Sequence, residues 1–253
     1  MLSFLDTYSP ATLAYLAVCA LVAGLARGFS GFGGALIFVP LASGAVGPQV
    51  AAPVLLLIDG AGALGLVPGA YGRADRREVG TMAAGALVGV PLGGWILAHA
   101  DPLNLRWTIS LLTLALLALL ASGWRYRGRP AAPLTVGVGV VAGLFSGIAQ
   151  VGGPPIVAYW LGGGTPAATV RANFILYFFF SSFIATATYL AVGLLTLATL
   201  GLALVTGPIY VAGLSLGARL FGRADERVFR RICYALIAAA AALSLPALDG
   251  VIR

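Results

Sequence analysis

The sequence predicts an all-α polytopic membrane protein built from two inverted repeats of about five hydrophobic segments each. Three observations carry this. The 253-residue chain is 60% apolar and only 9% charged, with a mean hydropathy of +1.00, a balance typical of membrane-spanning chains and not of soluble domains. A glycine-rich interruption of the apolar pattern occurs once in each half. The arginines gather in three short stretches, with uncharged or weakly charged loops between them.

In chain order, Ala11–Ala26 is the first apolar segment, followed by the interruption Arg27–Gly34. Ala35–Ala45 is a short second segment, closed by a turn at Gly47-Pro48. Val50–Val67 is a third, carrying Asp59. The polar loop Tyr71–Glu78 leads to Gly80–Ala98, where Pro91 predicts a kink. After His99–Arg106 a fifth segment covers Trp107–Gly123. A basic linker, residues 124–133, then separates repeat 1–123 from repeat 134–253. The second half follows the same order: Leu134–Ser146, the interruption Gly147–Pro155, Ile156–Leu161, Ala172–Leu190, Leu197–Leu216 and Ile232–Leu248.

Sliding the first interruption by 119 positions superposes Gly24 on Gly143, Gly28 on Gly147, Gly33 on Gly152 and Gly34 on Gly153. At an offset of 124, Gly89 falls on Gly213, Gly93 on Gly217 and Arg106 on Arg230. These glycine pairs read as close-packing positions between helices. Charge then relates the halves. Tyr71–Glu78, Trp124–Pro130 and Arg219–Arg231 hold three, three and five arginines, which assigns all three to the cytoplasm. Their repeat mates, Ala191–Thr196 and His99–Arg106, hold none and one, and read as external. Mates on opposite sides require an odd number of crossings per half, so the repeats are inverted and both termini lie outside. Leu134–Leu161 is too short for two full crossings, which need roughly 40 residues. The helices flanking each break are therefore expected to be short or re-entrant, with the two breaks meeting near the midplane.

The breaks have the strongest claim to chemistry. Irregular backbone at membrane depth is tolerated only inside protein or beside a wet cavity, and paired breaks in two halves point to a transporter's binding site. Helices starting at Gly33-Gly34 and Gly152-Gly153 would aim backbone N–H groups and a positive dipole end at an anion, and Pro154 and Pro155 suit a first helical turn. Arg27 and Ser30 flank the first break. A guanidinium at that depth needs a partner or a ligand, and its fork fits an oxyanion; a cytoplasmic, orientation-setting role is the other reading of Arg27. Ser146, the repeat mate of Arg27, precedes the second break, and Gln150 lies inside it. Gln150 and Asn173 offer neutral amide donors. Asp59 is a candidate for proton coupling or the partner of Arg27. The aromatic run Tyr177–Phe180, with Tyr159 and Tyr189, reads as lipid-facing or interfacial.

The stretches AGLFSGIAQVGGPPIVAYWL and GFSGFGGALIFVPL, with TPAATVRANF after the second, resemble the sulfite exporter TauE/SafE family over essentially the whole chain. The resemblance implies a small permease of bacterial inner membranes that moves sulfite, organosulfonates, sulfoacetate or related anions, with a site formed by Gly33, Gly34, Gly152, Gly153 and their polar neighbours.

The reading is therefore a secondary transporter, and specifically an exporter, of small anions, with membrane lipid around it and no nucleic-acid partner. It is not an enzyme. No ATPase motif is present, so proton coupling or the membrane potential would drive it. With one histidine in the chain a metal cluster is excluded, and no cofactor motif occurs. Two alternatives stand: a membrane-embedded enzyme acting on a lipid phosphate, which would need clustered acids or a histidine beside an arginine, and a passive anion channel. Cys19 and Cys233 match no disulfide or metal spacing and read as packing residues. MLSFLDTYSP lacks the basic start of a cleaved signal peptide.

Overall fold

A computed structural model of the chain describes residues 8–31, 33–63, 67–128, 130–162, 165–220 and 226–249. Among these residues the regular elements are all helical: α1 (Pro10–Ser30), α2 (Gly34–Val46), α3 (Pro48–Ala63), α4 (Val67–Tyr71), α5 (Arg76–His99), α6 (Pro102–Ser122), α7 (Ala132–Ala149), α8 (Gly153–Trp160), α9 (Ala167–Ala191), α10 (Leu197–Leu220) and α11 (Glu226–Leu243), with a closing 3-10 turn at Pro246–Leu248. Six described helices, α1, α5, α6, α7, α9 and α10, are long and apolar enough to span a bilayer. The chain is an integral membrane protein.

Local sequence fixes the ends of the first pair. Ser9 caps α1 by accepting the Thr12 N–H (3.1 Å), with Pro10 in the first turn. Gly31 ends α1 in the left-handed region at φ 83°, where a residue without Cβ costs least. The breaks are narrower than the composition suggests. Gly28 and Gly147 remain helical, and only residues 31–33 and 150–152 lie between the paired helices. The pairs are also uneven: α1 and α7 run 21 and 18 residues, α2 and α8 only 13 and 8. The expected shortness falls on the second helix of each pair. Packing keeps Gly28 and Gly147 helical, overriding their weak intrinsic propensity.

The chain forms two compact units. One comprises 1–59, 100–117 and 193–253, the other 60–99 and 118–192. Each draws helices from both halves of the sequence. In the first, α1 packs along α10. Gly24 and Gly28 face the backbone of Tyr210 and Leu214, and Gly213 and Gly217 face the carbonyls of Leu21 and Leu25. Contacts advance together along both helices, so they run parallel. A methyl group at Gly28, Gly213 or Gly217 would collide with a backbone carbonyl, so the helices approach to glycine distance. This unit also holds Arg106 against Asp249 through two hydrogen bonds (2.6 and 2.8 Å) and Ser110 against Ser244 (2.8 Å), fastening the chain after α11 to α6.

In the second unit α5 packs along α7 in the same way. Gly89 and Gly93 face the carbonyls of Val140 and Leu144, and Gly147 faces that of Val90. Each contact is the counterpart, at the sequence offsets, of one in the first unit: Gly147 on Val90 answers Gly28 on Leu214, and Gly89 on Val140 answers Gly213 on Leu21. The small-residue pairs are packing positions, as their spacing suggests.

Candidate functional site

At the first break, Arg27 occupies the last turn of α1, where a cation complements the helix dipole. Its Nε donates to Asp59 Oδ1 on α3 at 3.0 Å. The Tyr210 hydroxyl, from α10, donates to the same Oδ1 at 2.7 Å. Arg27 Nη1 donates to the Gly31 carbonyl. The charged pair is partly buried, with side-chain exposures of 15% for Arg27 and 31% for Asp59. Ionic groups so placed among apolar helices persist because each partner compensates the other. α2 then begins against this cluster. A methyl on Gly34 would lie 2.9 to 3.0 Å from the Tyr210 hydroxyl, the Ala23 carbonyl and Arg27 Cβ, so any side chain there would have to push this cluster aside. Gly33, buried, is the N-cap of α2 and offers no side-chain cap. Ser30 is the final residue of α1, and its side chain lies outside the described residues.

The second break is built without charge. Gln150 ends α7 at φ 59°, the one non-glycine described residue with positive φ. A glutamine in this conformation is uncommon and strained. Its backbone N–H and its side-chain Nε2 both donate to the Ser146 carbonyl, at 2.9 and 3.0 Å. Nε2 also donates to the Tyr189 hydroxyl (3.2 Å), which in turn donates to the Gly147 carbonyl (2.7 Å). Thus α9 supplies Tyr189 to satisfy the Gly147 carbonyl in the last turn of α7, where helical partners run out. Ser146 is buried, and its hydroxyl occupies the space a side chain at Gly152 would need. Gly152 is the N-cap of α8, again without a side-chain cap, and prolines fill the opening turn.

Within each unit, then, the structure gathers Arg27, Asp59, Gly33 and Gly34 at one break, and Ser146, Gln150, Gly152 and Gly153 at the other. It does not bring Asn173 to the second break. Asn173 Oδ1 accepts the Asp75 N–H at 2.8 Å, sixteen residues before Tyr189 on α9, about 24 Å along the helix at 1.5 Å per residue. Asn173 there fastens the N-terminal cap of α5, whose first turns bond to the Asp75 carboxylate. Two further residues join the clusters, Tyr210 and Tyr189. The lipid-facing expectation for the tyrosines is corrected: Tyr159, Tyr177 and Tyr189 are buried, while Phe180 is exposed. The available signal was position. Tyr210 sits mid-helix, away from the ends where interfacial tyrosines collect.

Apolar helices of spanning length, joined at short breaks lined by polar groups, define a polytopic membrane protein. Its sequence agrees. The chain belongs to the sulfite exporter TauE/SafE family, whose model matches residues 16–244, and this is a family of membrane transporters. Neither a curated protein nor a solved structure matches the chain.

Proposed function

We propose that the protein is a secondary exporter of small sulfur-containing anions, sulfite or an organosulfonate such as sulfoacetate, in the bacterial inner membrane. The observation that carries this is Arg27: a guanidinium held beside a helix break by one carboxylate, in a family named for sulfite export. Arg27 supplies the fork for an oxyanion. The N-terminus of α2, with Gly33, Gly34 and Ser30, adds backbone and hydroxyl donors. Ser146, Gln150, Gly152 and Gly153 offer neutral donors from the second break, and Asn173 serves the same helix bundle from the far end of α9.

Residues 1–123 and 134–253 act as inverted repeats joined by the cytoplasmic linker 124–133, with both termini outside. Rocking of one repeat against the other exposes the bound anion to each side in turn. Asp59 is the candidate proton carrier. The equivalence of Gly28–Leu214 and Gly147–Val90 supports the repeat relation. The test is thermal stabilisation of purified protein by sulfite, sulfate, thiosulfate, taurine, sulfoacetate and small carboxylates, repeated with Arg27→Ala and Gln150→Ala. A ligand of the folded state raises apparent stability by mass action. A sulfur anion that stabilises wild type and loses its effect in both variants upholds the proposal; variants that respond as wild type does overturn the site.

A further inference from the structure

We infer that the transported anion and Asp59 compete for Arg27, so that each anion enters the site together with one proton, which the Asp59 carboxylate takes up. This rests on the proposed role of Arg27 and names what controls that site. Asp59 Oδ1 receives Arg27 Nε (3.0 Å) and the Tyr210 hydroxyl (2.7 Å) together. The edge of the guanidinium beside Asp59 is therefore in use. An anion arriving on the same guanidinium sets a second negative charge a few ångströms from the first, beside a pair whose side chains are only 15% and 31% exposed. Two such charges do not both persist. Arginine keeps its proton, so the proton adds to Asp59.

The exchange balances. One O–H bond forms on Asp59, the Arg27–Asp59 ion pair opens, and an Arg27–anion pair replaces it. The neutral carboxyl still accepts from Tyr210, and its new O–H is a donor for the anion. Tyr210 is thus a positioning residue that holds the carboxyl in both states. Among the described residues the titratable groups bonded to Asp59 are Arg27 from α1 and Tyr210 from α10, and α2 carries none. The site keeps its net charge when a monovalent sulfonate binds, and gains one negative charge with a divalent oxyanion. The second break, where Ser146, Gln150 and Tyr189 are uncharged, has no group for this role, so the coupling belongs to the first break alone.

The test is calorimetric titration of the purified full chain with methanesulfonate, whose charge is constant across the neutral range. Buffers of differing ionisation heat count the protons bound. Wild type takes up about one proton per anion, and its apparent Kd weakens about tenfold per unit rise in pH. Asp59→Asn binds with no proton uptake and a flat pH profile, and Asp59→Glu restores both. Wild-type binding without proton uptake, or uptake that survives Asp59→Asn, overturns the inference. Should Asp59→Asn not fold, the wild-type proton count and Asp59→Glu decide alone. Arg27→Ala separates the two levels. If it binds like wild type, the site and the coupling fall together. If it loses binding while wild type takes up no proton, only the coupling falls. Silence from methanesulfonate, sulfate and sulfite alike overturns both.

Discussion

At the first break Gly31 ends α1 and an arginine four residues earlier reaches an acid on α3. At the second, its counterpart Gln150 ends α7, and Ser146 stands where the arginine stood. Both chains turn with positive φ and start the next helix from a glycine N-cap. The shared backbone comes from shared packing glycines, whereas the polar lining has diverged. Close helix approach fixes glycine at the matching positions of both units, while the side chains at the two tips differ: one break carries charge and the other neutral hydrogen bonds.

The largest expected effect tests the shared part. Gly28→Leu and Gly147→Leu each force a side chain into a backbone carbonyl with no flexible neighbour to yield. Each is expected to cost about 3 kcal/mol or more, seen as loss of monodisperse protein in size-exclusion chromatography and a collapsed melting temperature. Gly137→Ala, facing open space, is the control and stays near wild type. If one leucine variant were tolerated and the other not, the packing equivalence of the two units would be broken.

Next comes the charge difference. Arg27→Ala strands the Asp59 carboxylate. Removing one partner of a fully buried pair costs about 3–5 kcal/mol; with Asp59 about one-third exposed, solvent lowers the expected cost to about 2 kcal/mol. Ser146→Ala, at the mate position, is expected within about 1 kcal/mol of wild type. Adding Asp59→Asn to Arg27→Ala recovers most of the loss, because no charge is then left unpaired. Chemical or thermal melting of the four proteins checks this, and a Ser146→Ala cost equal to that of Arg27→Ala would sink the claimed asymmetry.

The sequence made the breaks readable because glycine and proline act locally: helices were expected just after Gly33-Gly34 and Gly152-Gly153, and α2 and α8 begin at Gly34 and Gly153. Arg27 and Asp59 were also visible, since an isolated charge in an apolar run demands a partner. What the sequence did not show is which tyrosine closes each cluster. Tyr210 meets Asp59 across 151 residues and Tyr189 meets Gln150 across 39. Mid-helix position sets Tyr210 apart from interfacial tyrosines, but it does not say which partner the hydroxyl meets. The width of each break was also hidden, because Gly28 and Gly147 are held helical by contacts that local propensity does not see. Asn173, two residues from an arginine, carried no local sign that its partner would be the cap of α5.

Gln150 sharpens the comparison at smaller energy. Gln150→Gly relieves the positive φ but removes the side-chain bonds to Ser146 and Tyr189, so the two changes, each about 1 kcal/mol, nearly cancel. Gln150→Ala keeps the strain and loses the bonds, and should melt as if about 1–2 kcal/mol less stable. If Gln150→Gly keeps its melting temperature yet no longer gains stability from the anion, the strained glutamine is retained for binding. A glycine variant that still responds to the anion as wild type does would make Gln150 a structural cap and nothing more.

The smallest effects separate the two hydroxyls. Tyr189→Phe leaves the buried Gly147 carbonyl without its 2.7 Å donor and Gln150 Nε2 without one acceptor, which should cost about 1 kcal/mol. Tyr210→Phe removes a donor from a carboxylate that keeps Arg27 and is about one-third exposed, so its cost should be about half as large. Function should reverse the order. Tyr189→Phe, at the neutral break, leaves the pH dependence of anion binding intact. Tyr210→Phe loosens the carboxyl that exchanges with the anion and shifts that pH profile while barely moving the melting temperature. A shift produced by Tyr189→Phe, or none by Tyr210→Phe, would show that the two breaks do not divide charge and neutral binding between them.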